Sequence, residues 1–109
     1  MQLACALTDI PEGQAKGLTL NEVPLFVVHY QEGVYAYRNA CPHLGVALEW
    51  QPDQFLDSEG RLIQCAMHGA LFLIESGQCI AGPCSGQHLQ PLACEVREGD
   101  VWVDVTGLS

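Results

Sequence analysis

The sequence is short of positive charge: four Lys and Arg residues face 13 Asp and Glu, for a formal charge of -9. Such a chain repels phosphate backbones and anionic membrane surfaces, so neither nucleic acid nor membrane is an expected partner. A basic protein would be attracted and steered into contact. The plainer reading is that the charge keeps a small protein dissolved. No apolar run approaches the roughly 20 residues a helix needs to cross a bilayer. The opening, Met1-Gln2-Leu3-Ala4-Cys5, has neither the basic region nor the long apolar stretch of a secretory signal. The expectation is a cytoplasmic protein, provided that the sequence has not already been processed. Internal repeats, low-complexity tracts and long linkers are missing too. Aromatic residues make up 7%, yet hydrophobic residues reach 49%, which excludes a disordered chain. With 109 residues the expectation is one domain, residues 1–109, with its own core.

What is present is mostly β signal. Val23-Pro24-Leu25-Phe26-Val27-Val28-His29-Tyr30 predicts a strand with apolar residues on both faces. Glu32-Gly33 marks a turn, and Val34 to Arg38 the returning strand. Leu92 to Arg97 and Val101 to Val105 flank Glu98-Gly99-Asp100 as a second hairpin, with Val101, Val103 and Val105 on one face. Leu3 to Leu7 and Leu18 to Leu20 are further short strand candidates. The middle of the chain is rich in glycine and holds three of the six prolines and four of the six cysteines. Arg61 to Gln64 and Ala70 to Ile74 read as short strands, and Ser76-Gly77 as a turn into Gln78-Cys79-Ile80. Gln51 to Gly60 reads as a surface excursion, and Val46 to Trp50 as the only helical candidate. The layout predicts an all-β fold: a basal scaffold from about residues 1–39 and 87–109, with a loop-rich subdomain at about 40–86 inserted in it.

Six cysteines could mean a disulfide framework. The lack of an export signal argues against it, since disulfides are rare in reducing compartments. Two of the cysteines instead sit beside histidines. Cys41-Pro42-His43 is followed by a spacer, residues 44 to 64, and then by Cys65-Ala66-Met67-His68. Each half offers one thiolate and one imidazole. Each is followed closely by glycine, Gly45 or Gly69, which lets backbone pass near a bulky group and adopt positive φ. A [2Fe-2S] centre of mixed ligation needs this set: two thiolates on one iron, two imidazoles on the other. Two thiolates and two imidazoles also suit zinc, although zinc fingers usually pair Cys with Cys and His with His. Coincidence of buried cysteines with core histidines, and catalytic Cys-His pairing, are the remaining readings; no third orienting group is apparent for the latter.

Cys41-Pro42-His43-Leu44-Gly45 and Cys65-Ala66-Met67-His68-Gly69 resemble the two cluster-binding motifs of the Rieske family. Gly69-Ala70-Leu71-Phe72, the Ser76-Gly77 turn, Gly82-Pro83 and Leu89-Gln90-Pro91-Leu92 extend the resemblance over roughly residues 34 to 105. The resemblance implies a Rieske-like antiparallel β-sandwich or barrel carrying a [2Fe-2S] cluster. It implies Cys41 and Cys65 on the buried iron and His43 and His68 on the outer one. It also implies backbone amides around Leu44, Gly45 and Gly69 donating to the sulfurs, and Pro83 shielding the cluster. Respiratory-chain Rieske proteins carry an extra disulfide, where this chain has Val46 and Met67. They also place serine and tyrosine hydroxyls on the sulfurs, where this chain has Ala70 and Phe72. Fewer donors stabilise the reduced cluster less, so the expected potential lies near the low end of the Rieske range. In this the chain is similar to the ferredoxins of aromatic-ring dioxygenases.

The resemblance therefore implies a one-electron carrier, not itself an enzyme, working between a reductase and a terminal oxygenase or related enzyme. The alternatives are a small Rieske subunit of a larger oxidoreductase such as nitrite reductase, and a redox-sensing or zinc-binding module. Elsewhere, His29 reads as a hydrogen-bonded strand residue and His88 as an exposed loop residue. Cys5 and Cys94 read as small core hydrophobes, and Cys79 and Cys84 flank Gly82-Pro83 closely enough to approach each other.

Overall fold

The computed structural model describes residues 1–40, 55–57, 59–65, 69–82 and 86–105. Within them the strands are β1 (Gln2–Ala6), β2 (Gln14–Leu20), β3 (Val23–Tyr30), β4 (Gly33–Arg38), β5 (Leu62–Gln64), β6 (Leu71–Leu73), β7 (Cys79–Ala81), β8 (Pro91–Leu92), β9 (Cys94–Arg97) and β10 (Asp100–Val103). They form three sheets, ordered β1-β10-β9, β2-β3-β4-β8 and β5-β6-β7. Every strand pairing is antiparallel. Among the described residues the only helical turn is 3-10, at Leu7–Asp9, and no helix is long and apolar enough to cross a membrane. The all-β expectation holds. The helical candidate at Val46 to Trp50 lies outside the described residues.

The continuous apolar run in β3 has a direct cause. Leu25, Phe26, Val27 and Val28 are all fully buried. Successive side chains of a strand point to opposite faces. Phe26 and Val28 therefore enter one core, with Tyr37, Phe55, Ile63, Cys65, Ala70, Phe72, Ile74, Cys79 and Leu89. Val23, Leu25 and Val27 enter another, with Ile10, Ala36, Leu92, Val101, Val103 and Val105. β3 is thus the shared wall between a basal core and the core beneath the β5-β6-β7 sheet. Each of its four buried side chains contributes roughly 1.5–3 kcal/mol.

Three tight turns set the register. Leu20 pairs with Val23 across Asn21 and Glu22, both at positive φ (52° and 69°). Arg97 pairs with Asp100 across Glu98 and Gly99, again both at positive φ (52° and 82°). Such turns match the right-handed twist of hairpin strands. The β3–β4 turn falls on Gln31 and Glu32, one residue earlier than the sequence suggested, because Gly33 already pairs with Tyr30.

The segment expected as one strand, Leu92 to Arg97, is split. Pro91 and Leu92 pair with Tyr37 and Ala36 at the edge of the basal sheet, where the missing proline N–H costs little. Cys94 to Arg97 pair instead with β10. Leu92 lies in the same core as Val101 and Val103, so the chain changes sheet at Ala93 to close the basal core from two sides.

Candidate metal centre

The first motif is approached by a chain that is pinned residue by residue. Arg38 N–H donates to the Gln90 carbonyl (3.0 Å), Asn39 N–H to that of Pro24 (3.0 Å) and Ala40 N–H to that of Arg38 (2.9 Å). Asn39 is buried. Cys41, His43, Leu44 and Gly45 follow, and lie outside the described residues. The chain re-enters at Phe55, whose ring is fully buried and stacks on Phe26 with centroids 4.4 Å apart and planes at 11°. The surface-excursion expectation for residues 51–60 therefore fails at Phe55, while Glu59 is exposed as expected. Burial of a large aromatic outweighs the turn-forming character of its neighbours.

The second motif begins where β5 ends. Ile63 is buried, Gln64 exposed and Cys65 buried, so the strand's period of two turns the Cys65 side chain inward. Cys65 N–H donates to the Ala70 carbonyl (2.9 Å), and Gly69 N–H to the Cys65 carbonyl (2.8 Å). These bonds hold Cys65, Gly69 and Ala70 to one another. Gly69 holds φ +66°, with no atom of the described residues within 4 Å of the place a Cβ would take. The backbone conformation by itself favours glycine here, as positive φ strains any residue with a Cβ. His68 lies outside the described residues.

The third loop meets the second at Ala70. A Cβ on Gly82 (φ +102°) would stand 2.8 Å from the Ala70 Cα, so here glycine is needed for close approach as well as for φ. Cys79 N–H donates to the Gln87 carbonyl (2.8 Å). Pro83 and Cys84 lie outside the described residues, and with them any pairing of Cys84 with Cys79. The Cys79 thiol donates to the Ala81 carbonyl (3.2 Å). Phe72 and Ala70, at the positions without hydroxyls, are both fully buried.

The described residues thus place Cys65, Gly69, Ala70 and Gly82 together, and leave Cys41, His43 and His68 undescribed. No three metal-ligating side chains converge among the described residues. The described part fits an iron–sulfur group. Cys65 is buried in one cluster with Ile63, Ala70 and Phe72, close to the positive-φ Gly69. The expected donor set, two thiols and two imidazoles, would be that of a mixed-ligand centre.

The remaining candidates behave as structural residues. His29 Nδ1 donates to the Ile10 carbonyl (2.8 Å), tying a basal loop to β3. His88 is exposed. Burial pushes the Cys5 thiol up, with Asp9 adding to the effect, and burial likewise raises Cys94, whose thiol donates to the Val34 carbonyl (3.3 Å). Thiols of raised pKa are poor nucleophiles, and both pack with the basal core rather than with the core that holds Cys65. The residue that sequence reasoning missed is Phe55. No periodic pattern surrounds it, and a lone aromatic among turn formers was its only signal.

Comparison with known proteins follows this geometry. A family model described as the Rieske [2Fe-2S] domain matches residues 1–101. The ferredoxin component of the naphthalene 1,2-dioxygenase system of Pseudomonas aeruginosa is 29% identical over 103 residues, 94% of this chain and 93% of that one. The ferredoxin component of the naphthalene 1,2-dioxygenase/salicylate 5-hydroxylase systems of a Ralstonia species is 32% identical over 80 residues, 73% of this chain and 72% of that one. Among solved structures, a chain in the complex of reduced oxygenase and oxidized ferredoxin in carbazole 1,9a-dioxygenase superposes with a TM-score of 0.77 at 29% identity, covering 94% of this chain and 99% of that one.

Proposed function

Because this chain belongs to the Rieske [2Fe-2S] domain family, we propose that it is a ferredoxin, an electron carrier between a reductase and a terminal oxygenase. The observation that carries this reading is extent. The chain matches a dioxygenase-system ferredoxin over 94% of its own length and 93% of that protein's.

Cys41 and Cys65 would hold one iron and His43 and His68 the other. When bound, the cluster supplies one reversible electron. Everything else is the chain's contribution. The Cys65–Ala70 hydrogen bond fixes the backbone from which one ligand projects. On this reading the backbone of Leu44, Gly45 and Gly69 would face the group, and Pro83, next after Gly82, would shield it from water. The role needs neither a substrate pocket nor a general acid or base, so the protein is read as a carrier and not a catalyst. Its reductase and oxygenase partners dock transiently, aided by its acidic surface. Residues 1–109 form one domain with the cluster-binding part at about 40–86, and the protein works in the cytoplasm.

Freshly purified protein is expected to be red-brown and, once reduced, to give a rhombic EPR signal. It should then be reoxidised by a terminal oxygenase of the aromatic-ring type. A colourless, zinc-loaded protein after anaerobic reconstitution with iron and sulfide overturns the reading.

A further inference from the structure

The stretch that returns from the first motif is a concealed strand. Gln64 N–H donates to the Phe55 carbonyl (2.8 Å), Leu56 bridges Ile63, and Asp57 N–H donates to the Leu62 carbonyl (2.9 Å). Residues 55–57 therefore run antiparallel to β5 along the edge that β6 leaves open. The tip is locked. The Asp57 carboxylate accepts the N–H groups of Arg61 (3.0 Å) and Leu62 (3.2 Å), and Gly60 N–H donates to the Asp57 carbonyl (3.0 Å). At the other end the Phe55 ring lies against Phe26 of β3, which in turn lies 5.8 Å from the Tyr37 ring.

These contacts make a chain of three links. The basal sheet grips the Phe55 ring. The Phe55 carbonyl grips Gln64. The next residue is Cys65. We propose that Phe55 is a positioning residue for the cluster, setting the β5 register that presents Cys65; this rests on the ferredoxin reading above. Register matters here because β5 has three residues and one face must be dry. A slip of one residue turns Gln64 inward and Cys65 outward. β6 guards one side of β5, and residues 55–57 guard the other. Phe55 is the only one of those three that is fully buried.

The test uses anaerobically reconstituted holoprotein with Phe55→Ala, Phe55→Leu and, as a control, Val101→Ala in the basal core. Cluster loss to a chelator is followed by absorbance, the reduced signal by EPR, and unfolding by circular dichroism. Phe55→Ala should lose its cluster about ten- to a hundredfold faster than the parent. Its rhombic signal should broaden as Cys65 samples several positions. Phe55→Leu, which fills most of the space without stacking, should fall between the two. Val101→Ala should unfold at lower temperature with the parental signal and chelation rate. If Phe55→Ala does not accumulate as folded protein, Phe55→Leu carries the test. A parental rate and line shape in a folded Phe55 variant overturns the proposal, as does an equal effect of Val101→Ala at equal loss of stability. If the parent itself gives no rhombic signal, the ferredoxin reading fails instead.

Discussion

The hydroxyl of Tyr37, on β4, donates a 2.6 Å hydrogen bond to the carbonyl of Ile74, just past β6. This bond joins the basal sheet to the sheet that leads into the second motif. Its ring also covers Gly77, where a Cβ would stand 2.7 Å from the ring edge. Tyr37 is 2% exposed, so the phenol has no water to fall back on. Tyr37→Phe should therefore leave the Ile74 carbonyl without its donor, at a cost of about 1–3 kcal/mol. Urea denaturation of both proteins measures the difference, and equal midpoints would show that the bond contributes nothing.

The same phenol predicts an alkaline limit. Burial, with smaller help from nearby Tyr35, pushes its pKa from 10.0 up to about 12. A tyrosine is charged once deprotonated. The folded chain therefore holds this proton to about pH 12, whereas the unfolded chain releases it near pH 10. The stabilisation is complete below pH 10 and is lost as pH rises toward 12. Denaturation midpoints should fall across that window, and Tyr37→Phe should flatten the fall. A parental slope in the variant would assign the loss to other groups.

Gly82→Ala should be more damaging than a change of one methyl group suggests. The added Cβ meets the Ala70 backbone, which β6 and the Cys65–Ala70 bond hold in place. Positive φ adds strain of about 1–3 kcal/mol. Thermal unfolding should fall, and the cluster should become more accessible to oxygen or chelator. Gly69→Ala is the comparison. Its Cβ would meet no atom of the described residues, so its cost to the fold should come from φ and be smaller.

Particular residues show why some of this was legible in sequence and some was not. Val23–Tyr30 could be bounded because a β-branched, aromatic run ends at turn residues. Cys65 and Gly69 could be picked out because ligand chemistry fixes residue type and spacing together. The first half of β2, Gln14 to Gly17, carries no such pattern. It is a strand because it pairs with His29 to Phe26, which no local property reveals. The sheet switch at Ala93 follows from closing a core, and Phe55 is buried by a partner, Phe26, some thirty residues earlier. What the sequence hides is long-range pairing, in which tertiary context overrides local preference.

The charge of -9 predicts how the protein meets its partners. Attraction to a basic docking face speeds encounter and is screened as salt rises, since the Debye length falls from about 10 Å at 0.1 M to about 3 Å at 1 M. The second-order rate of reduction by a cognate reductase should drop steeply with ionic strength, while the one-electron potential moves little. A rate that is flat in salt would mean that the acidic surface serves solubility alone.

Ala70 offers the sharpest test of how the chain sets its potential. It is fully buried, it borders Cys65 through a backbone hydrogen bond, and it has no side-chain donor. A hydroxyl placed there can donate to cluster sulfur, and such a bond strengthens when an electron adds negative charge. A bond that gains about 1.4 kcal/mol on reduction raises a one-electron potential by about 59 mV. Ala70→Ser and Phe72→Tyr each add one oxygen, but the serine hydroxyl stays close to the backbone beside Cys65, whereas the phenol hydroxyl, at the far end of a ring, must find a partner in a fully buried core. Ala70→Ser should therefore raise the potential by tens of millivolts on that scale while keeping the rhombic EPR line shape. Voltammetry on the two proteins decides the matter. A potential that stays at the parental value, with the cluster fully loaded, would mean that the hydroxyl turns instead to a backbone carbonyl and that the missing donor at position 70 does not set the potential.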